Sequence, residues 1–409
     1  MARQKDELGV WLGGRKVAVL TRSGKPGHVS SRYTEEALAE WRLNSPVLSC
    51  SLPLQKRPAE ATSFFRGLLP EGEALRVLAQ KANVVVTDTF GLLSRYGRDV
   101  AGALVIGSEA PAISDFAAEP MTTGKLEAAI DDLDLNPLGA IDESELSLAG
   151  VQDKILLVRD GSGWARPLYG MPSTHIMKVN DFAHPGLVRA EGQCLDLARS
   201  VGLTTVKTEF EVIGDRDCLF VSRYDRETVG DRVERIHQED VCQAMAIDPM
   251  SQRRAKYEDG GGPGFVDVAR LLDQYARLPE AELDRLVEVV TFTVLIGNAD
   301  AHGKNLSFLH EDGEHISLAP LYDTVPTVLW PKLRTEGAMV IGAQPELAEV
   351  TLGAIGREAV RWNHPEARAL EVAESMIGRV QESLNRGVIP EGSPVTDFVR
   401  SRAEQLIAG

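Results

Sequence analysis

Apolar and polar positions alternate near the start of the chain. In "VWLGGRKVAVL" (residues 10–20) the alternation breaks at a Gly-Gly pair, which predicts a hairpin of two short strands. "PVLSCSLPL" (46–54) reads as a further strand. The period then lengthens: "ATSFFRGLLPEGEALRVLAQKA" (61–82) has helical spacing interrupted by Pro70, and "DTFGLLSRYG" (88–97) predicts a second helix. "DVAGALVIG" (99–107) returns to strand. From about residue 109 to 143 the chain is acidic and loop-like, which marks a boundary between units. Beyond it, "DKILLVRDGSGWARPLYG" (153–170) reads as a hairpin turning at "DGSG", and "STHIMKVN" (173–180) as another strand. "LVRAEGQCLDLARSVGL" (187–203) is helical and stops at Gly202, and "VKTEFEVIGDRDCLFVSRYDR" (206–226) gives two strands around "GDRD". From 236 onward the pattern is mostly helical, in "HQEDVCQAMAI", "FVDVARLLDQYARL", "AELDRLVEVVTFTVLIG" and "EARALEVAESMIGRVQESLNRG".

These elements predict an α+β chain in four stretches. They are an N-terminal domain over 1–110, a linker over 111–143, a β-rich unit over 144–235 and a helical unit over 236–409. A β-rich lobe followed by a larger helical lobe is the order of the bilobal protein-kinase-like fold, a likeness of fold alone.

Composition narrows the setting. The 409 residues exceed one core and suit two or three domains. A hydrophobic content of 43% and a charged content of 25% are ordinary for a soluble globular protein. No apolar run reaches the ~20 residues that cross a bilayer, and "MARQKDELGVWLGG" lacks a signal peptide's apolar core. The expectation is a cytoplasmic protein with no membrane partner. Cys50, Cys194, Cys218 and Cys242 form no CxxC pair, which favours buried thiols in a reducing compartment over a zinc site or a disulfide framework. The net charge of −16 opposes broad nucleic-acid binding. "SQRRAK" (251–256) is a local basic patch or a solvated helix face.

The densest chemistry lies in "NADAHGKN" (298–305), at the end of the apolar "VEVVTFTVLIG". Phosphoryl transfer needs a Lys for nucleotide phosphates, an acid to orient it, an Asp for the acceptor hydroxyl, and an Asn and a second Asp for magnesium. Asp300 and Asn305 have the D-x-x-x-x-N spacing of that set. Asp323, in "APLYDTVPT", follows a predicted hairpin turning at "EDGE" and suits the second metal ligand. Lys178 lies in a strand, and Glu191 stands early in the next helix where it can pair with that Lys. Alone, each has an ordinary explanation: a solvated strand Lys, a helix-dipole Glu, a turn Asp. Their order and placement together point to a phosphotransferase. "SLAGVQDK" (147–154) is either a phosphate-covering loop, with Gly150 allowing close approach and Lys154 adding charge, or an ordinary connecting loop. Asn298 reads as a cap of the apolar helix.

With these motifs in view the sequence resembles the HipA family of serine/threonine kinase toxins of type II toxin–antitoxin systems. "FFRGLLPEGEALR" and "FGLLSRYGRDVAGAL" resemble its N-terminal domain. "SLAGVQDK", "THIMKVN", "VSRYDR", "RIHQEDVCQAM", "KYEDGGGPG", "LIGNADAHGKNLSFL" and "LAPLYDTVPT" resemble successive kinase motifs. The resemblance implies Asp300 as catalytic base, Asn305 and Asp323 as Mg2+ ligands, and Lys178 and Lys154 on the ATP phosphates. Gly150, Val151 and Gln152 belong to the same nucleotide-side loop, and Ser147 matches the autophosphorylated serine. A phosphate there would repel those of ATP and eject the loop. Residues 222–224, "SRY", match an adenine-binding hinge usually written "ERF", so Ser222 departs from the pattern while Tyr224 keeps the aromatic. Gln238, with the neighbouring Asp240, is placed near the nucleotide. His302 is a structural hydrogen-bonder, and Lys304 is aimed at the transferring phosphoryl group.

The same resemblance implies ATP and Mg2+ as cofactors and a translation protein, an aminoacyl-tRNA synthetase, as substrate. It also implies a HipB-like helix-turn-helix antitoxin that makes most of the operator DNA contact and docks on the N-terminal domain. Two other functions stay open from the residues. One is a small-molecule phosphotransferase, which shares D-x-x-x-x-N but has no need of the N-terminal motifs. The other is a catalytically silent antitoxin-binding corepressor, which the intact Lys178, Asp300, Asn305 and Asp323 oppose.

Overall fold

The computed structural model describes residues 7–110, 116–141, 143–149, 152–161, 163–230, 232–248 and 256–408. Gly150, Val151 and all of "SQRRAK" but Lys256 lie outside them.

Strands β1 (Glu7–Leu12) and β2 (Arg15–Arg22) form the expected hairpin. Its Gly13 and Gly14 both sit at positive φ, 57° and 78°, as a two-residue turn demands. With β3 (Val29–Tyr33), β4 (Ala59–Glu60) and β5 (Leu104–Gly107) they make an antiparallel sheet ordered β4-β3-β2-β1-β5. Helices α1 (Glu35–Glu40), α2 (Thr62–Gly67), α3 (Gly72–Lys81) and α4 (Thr89–Tyr96) pack with it around Val10, Leu20, Phe64, Phe65, Leu78, Leu93 and Ile106. "PVLSCSLPL" forms no strand, only an isolated Ser49–Leu52 bridge. Its polar groups are instead drawn to a buried carboxylate: Ser49 Oγ and the Cys50 N–H donate to Glu239 at 2.5 and 2.8 Å.

A second antiparallel sheet contains β6 (Ala117–Pro120), β7 (Lys154–Asp160), β8 (Gly163–Leu168), β9 (His175–Val179), β10 (Thr208–Ile213) and β11 (Arg216–Ser222), ordered β10-β11-β9-β7-β8-β6. Alternate residues of β11 serve opposite faces. Cys218 and Phe220 meet α5 (Thr123–Asp131) through Leu126 and Ile130, while Leu219 and Val221 meet α6 (Leu187–Ser200) through Val188 and Leu195. The stretch expected to be a linker, 111–143, therefore supplies β6 and α5 to this unit. Glu127 and Asp131 are exposed on α5 and Glu119 is half-buried on β6, short elements that weak periodicity conceals.

Hairpin β12 (Arg226–Val229) and β13 (Arg232–Arg235) closes the β-rich stretch. The remainder holds the sheet β14 (Gln238–Asp240), β15 (Ser307–His310) and β16 (Ile316–Leu318), whose β15–β16 hairpin turns at the expected "EDGE", and the unexpected pair β17 (Glu336–Ile341) and β18 (Gln344–Glu346). "HQEDVCQAMAI" starts as β14 and yields one helical turn, α7 (Val241–Ala244), fixed by a reciprocal Asp240–Gln243 capping box. Around these pack α8 (Phe265–Tyr275), α9 (Pro279–Ile296), α10 (Leu352–Arg361), α11 (Glu366–Asn385) and α12 (Pro394–Ala408). From Val289 to Ile296 every residue of α9 is buried, so its far end is held from all sides. The helix stops at Gly297 (φ 71°), where an added Cβ would lie 2.3 Å from Val328. All four cysteines are buried free thiols.

A buried ionic cluster joins the first unit to the second. Asp99, fully buried ahead of β5, receives Arg226 at 2.9 Å and the Ser173 N–H at 3.0 Å, with Arg235 at 3.7 and Arg223 at 3.9 Å. Arg223 and Arg226 also bracket Asp225, which accepts the Gly102 N–H at 2.7 Å. Burial would raise both carboxyls, but the surrounding guanidinium groups hold them below the ordinary range. Removing one partner from such a cluster leaves uncompensated buried charge. Asp99→Asn is expected to lower the unfolding free energy by ~3–5 kcal/mol, read by chemical denaturation. Because the folded pKa is depressed, wild-type stability from this group is complete above pH ~4 and is lost as pH falls through the folded value. The variant should accordingly lose less stability than the wild type on acidification.

Candidate active site

The second sheet places two lysines on one face. Lys154 and Lys178 are direct partners across β7 and β9. Like charges in that register repel, so the arrangement needs negative neighbours. Lys178 finds two: its Nζ lies 2.5 Å from Glu191 Oε1 on α6 and 2.5 Å from Asp323 Oδ1. Burial opposes the Lys178 charge, but Asp323 and Glu191 raise its pKa well above the ordinary value. Burial pushes Glu191 up to about 6, while Lys178 draws Asp323 down to about 2 despite burial. Lys154 is lowered to about 8 by burial and by Lys178, and its ammonium donates to the Ala149 carbonyl at 2.8 Å. Asp323 adopts positive φ (53°), a conformation uncommon outside glycine and one Asp tolerates better than most.

The loop after α9 carries the rest. Gly297 ends the helix, and Asn298 caps it through its N–H, which donates to the Thr293 carbonyl at 3.0 Å, while its Oδ1 accepts the Asp300 N–H at 3.1 Å. The Asp300 carbonyl accepts from the Asn305 side-chain amide at 2.9 Å and from the His302 N–H at 2.8 Å. Asp300 itself accepts the Tyr257 hydroxyl at 2.7 Å. Burial raises the Asp300 pKa, the Tyr257 hydrogen bond lowers it, and the Asp323 charge adds to the rise. His302 is kept neutral, lowered to about 3 by burial and by Lys256, and its Nδ1 accepts the Lys304 N–H.

All these groups line one cleft of about 690 Å³, within the usual range for a small-molecule site. Gln152, Ser222, Tyr224 and Gln238 line it too. Tyr224 donates to Gln238 at 3.0 Å, and its ring lies 5.4 Å from Tyr322. Ser222 Oγ accepts the Lys207 N–H. Lys304 differs from expectation. Its ammonium is engaged by Asp240 at 3.2 Å and the Gly67 carbonyl at 3.4 Å, with Glu71 at 3.8 Å, so it braces the first unit against the loop. Ser147 is fully buried and donates to the Leu68 carbonyl at 2.9 Å, while its N–H donates to Asp99. Sequence reasoning missed Tyr257, Tyr322, Glu71 and the Asp99 cluster. Each lies inside one of the quoted motifs, but the contacts that give it a part join segments far apart in the chain.

Comparison with known proteins agrees with this architecture. The profile of the HipA N-terminal domain matches residues 8–107, and that of the HipA-like C-terminal domain matches residues 146–384. A putative kinase of Sinorhizobium fredii is 38% identical over 84% of this chain and 82% of its own length. The serine/threonine-protein kinase toxin HipA of Shewanella oneidensis is 29% identical over 82% of this chain and 78% of its own. The solved complex of Shewanella oneidensis HipA with HipB and operator DNA superposes with a TM-score of 0.81 at 25% identity, covering 98% of this chain and 96% of that one. No helix among the described residues is long and apolar enough to cross a membrane. With both domain profiles matched in order over a bilobal kinase-like fold, the chain belongs to the HipA family of kinases.

Proposed function

We propose that this chain is an ATP- and magnesium-dependent protein serine/threonine kinase acting as the toxin of a type II toxin–antitoxin module in the cytoplasm. The observation that carries the reading is the position of the Lys178 ammonium. It is shared between Glu191 and Asp323 in the cleft that also holds Asp300 and Asn305.

The donor set fits a hard cation. The Asn305 amide nitrogen is spent on the Asp300 carbonyl, which leaves Oδ1 as its acceptor, and Asp323 is held ionised. Those two side chains would hold magnesium, which when bound neutralises charge on the phosphates. Lys178 and Lys154 supply the cationic wall for the nucleotide. The pocket beside Tyr224 and Tyr322 suits a flat base. Asp300 accepts the proton of the acceptor hydroxyl, and its raised proton affinity suits that task.

Ser147 is the proposed autophosphorylation site. Its hydroxyl is sealed against Leu68, so modification requires the segment to leave that contact, and the added phosphate would oppose its return. A HipB-like antitoxin and operator DNA are the proposed partners, supported by the composition of the Shewanella complex. An aminoacyl-tRNA synthetase as substrate rests on the family resemblance. The match over both halves of the chain favours a toxin over a small-molecule phosphotransferase.

Asp300→Asn should abolish phosphate incorporation from ATP and growth inhibition while leaving the melting temperature near wild type. Activity retained in that variant contradicts the reading. Mass spectrometry of the wild type after incubation with ATP and magnesium should place the phosphate on Ser147. Lys178→Met should also end incorporation, and it leaves Glu191 alone in the core. Because burial raises Glu191, already to about 6, that variant should gain stability as pH falls through this value, more steeply than wild type.

A further inference from the structure

Asp300 needs its carboxylate aimed, and the loop that carries it fixes only its backbone. The Asn298 and Asn305 side chains bind the Asp300 N–H and carbonyl and leave the carboxylate free to rotate. Among the described residues its hydrogen bond comes from one hydroxyl, that of Tyr257 at 2.7 Å. The other charged groups acting on it are Asp323, which repels it, and Lys256 and Arg334, which attract it. A lone carboxylate facing Asp323 across a cleft would turn toward those cations.

We propose that Tyr257 is a positioning residue for phosphoryl transfer, holding Asp300 Oδ1 so that Oδ2 faces the acceptor hydroxyl. The proposal rests on the reading of Asp300 as the base. Tyr257 is itself well fixed. Its ring meets the His302 ring edge-to-face with centroids 5.1 Å apart at 81°, and the Arg334 guanidinium lies 5.0 Å from its centroid. Its carbonyl accepts the Gly262 N–H at 2.8 Å and the Gly260 N–H at 3.1 Å. The preceding carbonyl, that of Lys256, accepts the Gly303 N–H at 3.2 Å, which ties the segment directly to the catalytic loop. The two segments also close-pack: a Cβ on Gly303 would lie 2.4 Å from Pro263. Burial and the Asp300 charge raise the phenol's pKa, so it remains a donor and takes no proton from the base.

This arrangement separates Tyr257 from nucleotide binding. Lys154 and Lys178 come from the second sheet, and the Tyr257 hydroxyl donates to the carboxylate that meets the acceptor. A residue that aims the base changes the rate of transfer and leaves ATP affinity alone. Tyr257→Phe keeps the ring and its contacts with His302 and Arg334 and removes one oxygen.

The test is the initial rate of phosphate incorporation across an ATP series for wild type, Tyr257→Phe and Asp300→Asn, with ATP affinity and melting temperature measured on each. Tyr257→Phe is expected to lose about tenfold or more in maximal rate, the usual scale of a misaligned general base. Its ATP affinity and melting temperature should stay near wild type. A Tyr257→Phe rate within twofold of wild type, or faster, while Asp300→Asn is silent, overturns the positioning role and leaves the kinase reading standing. A rate loss matched by an equal loss of ATP affinity or of folded protein overturns it as well. An active Asp300→Asn removes the kinase reading itself.

Discussion

One ammonium shared between two carboxylates organises the cleft. Lys178 holds Glu191 from α6 and Asp323 from the segment after β16, so one contact spans the β-rich unit, its single long helix and the helical unit. Lys178 and, directly opposite it across the sheet, Lys154 face two carboxylates there, Glu191 fully buried and Asp323 partly exposed. On the proposed function, phosphates would take the lysines and a divalent ion would take Asp323 and Asn305.

The first unit is no independent appendage. Asp99 clasps Arg223 and Arg226, Glu239 gathers Ser49 and Cys50, and Lys304 of the loop after α9 reaches Asp240, Gly67 and Glu71. This unit also lines the cleft, through Gly67, Glu71 and Ala101. The Ser147 segment runs through the same junction, bonded to Asp99 and Leu68. A partner gripping the first unit would thus act on Arg223 and Arg226, the loop after α9 and the Ser147 segment through contacts already in place.

Much of this was legible in the sequence, for physical reasons. Strong periodicity made α6, α9 and α11 and the β1–β2, β7–β8 and β10–β11 hairpins readable, and D-x-x-x-x-N singled out Asp300 and Asn305, which the fold brings into one cleft with Lys178. The segment 111–143 misled because β6 and α5 are short, exposed on one side and rich in acids. "PVLSCSLPL" misled because its apolar alternation serves a core while its main chain serves Glu239. Lys304 was assigned to phosphate since nothing in sequence reveals that Asp240, sixty-four positions earlier, lies beside it. The Asp99 cluster and Tyr257 depend on contacts between distant segments, and no local pattern announces those.

The most direct test of the account is a crystal structure with magnesium and a non-hydrolysable ATP analogue. The expected result is a nucleotide in the cleft with its phosphates on Lys178, the metal on Asn305 and Asp323, and Asp300 facing the terminal phosphoryl group. A nucleotide bound elsewhere, or a cleft whose Lys178 still grips Asp323 at saturating analogue, would contradict it.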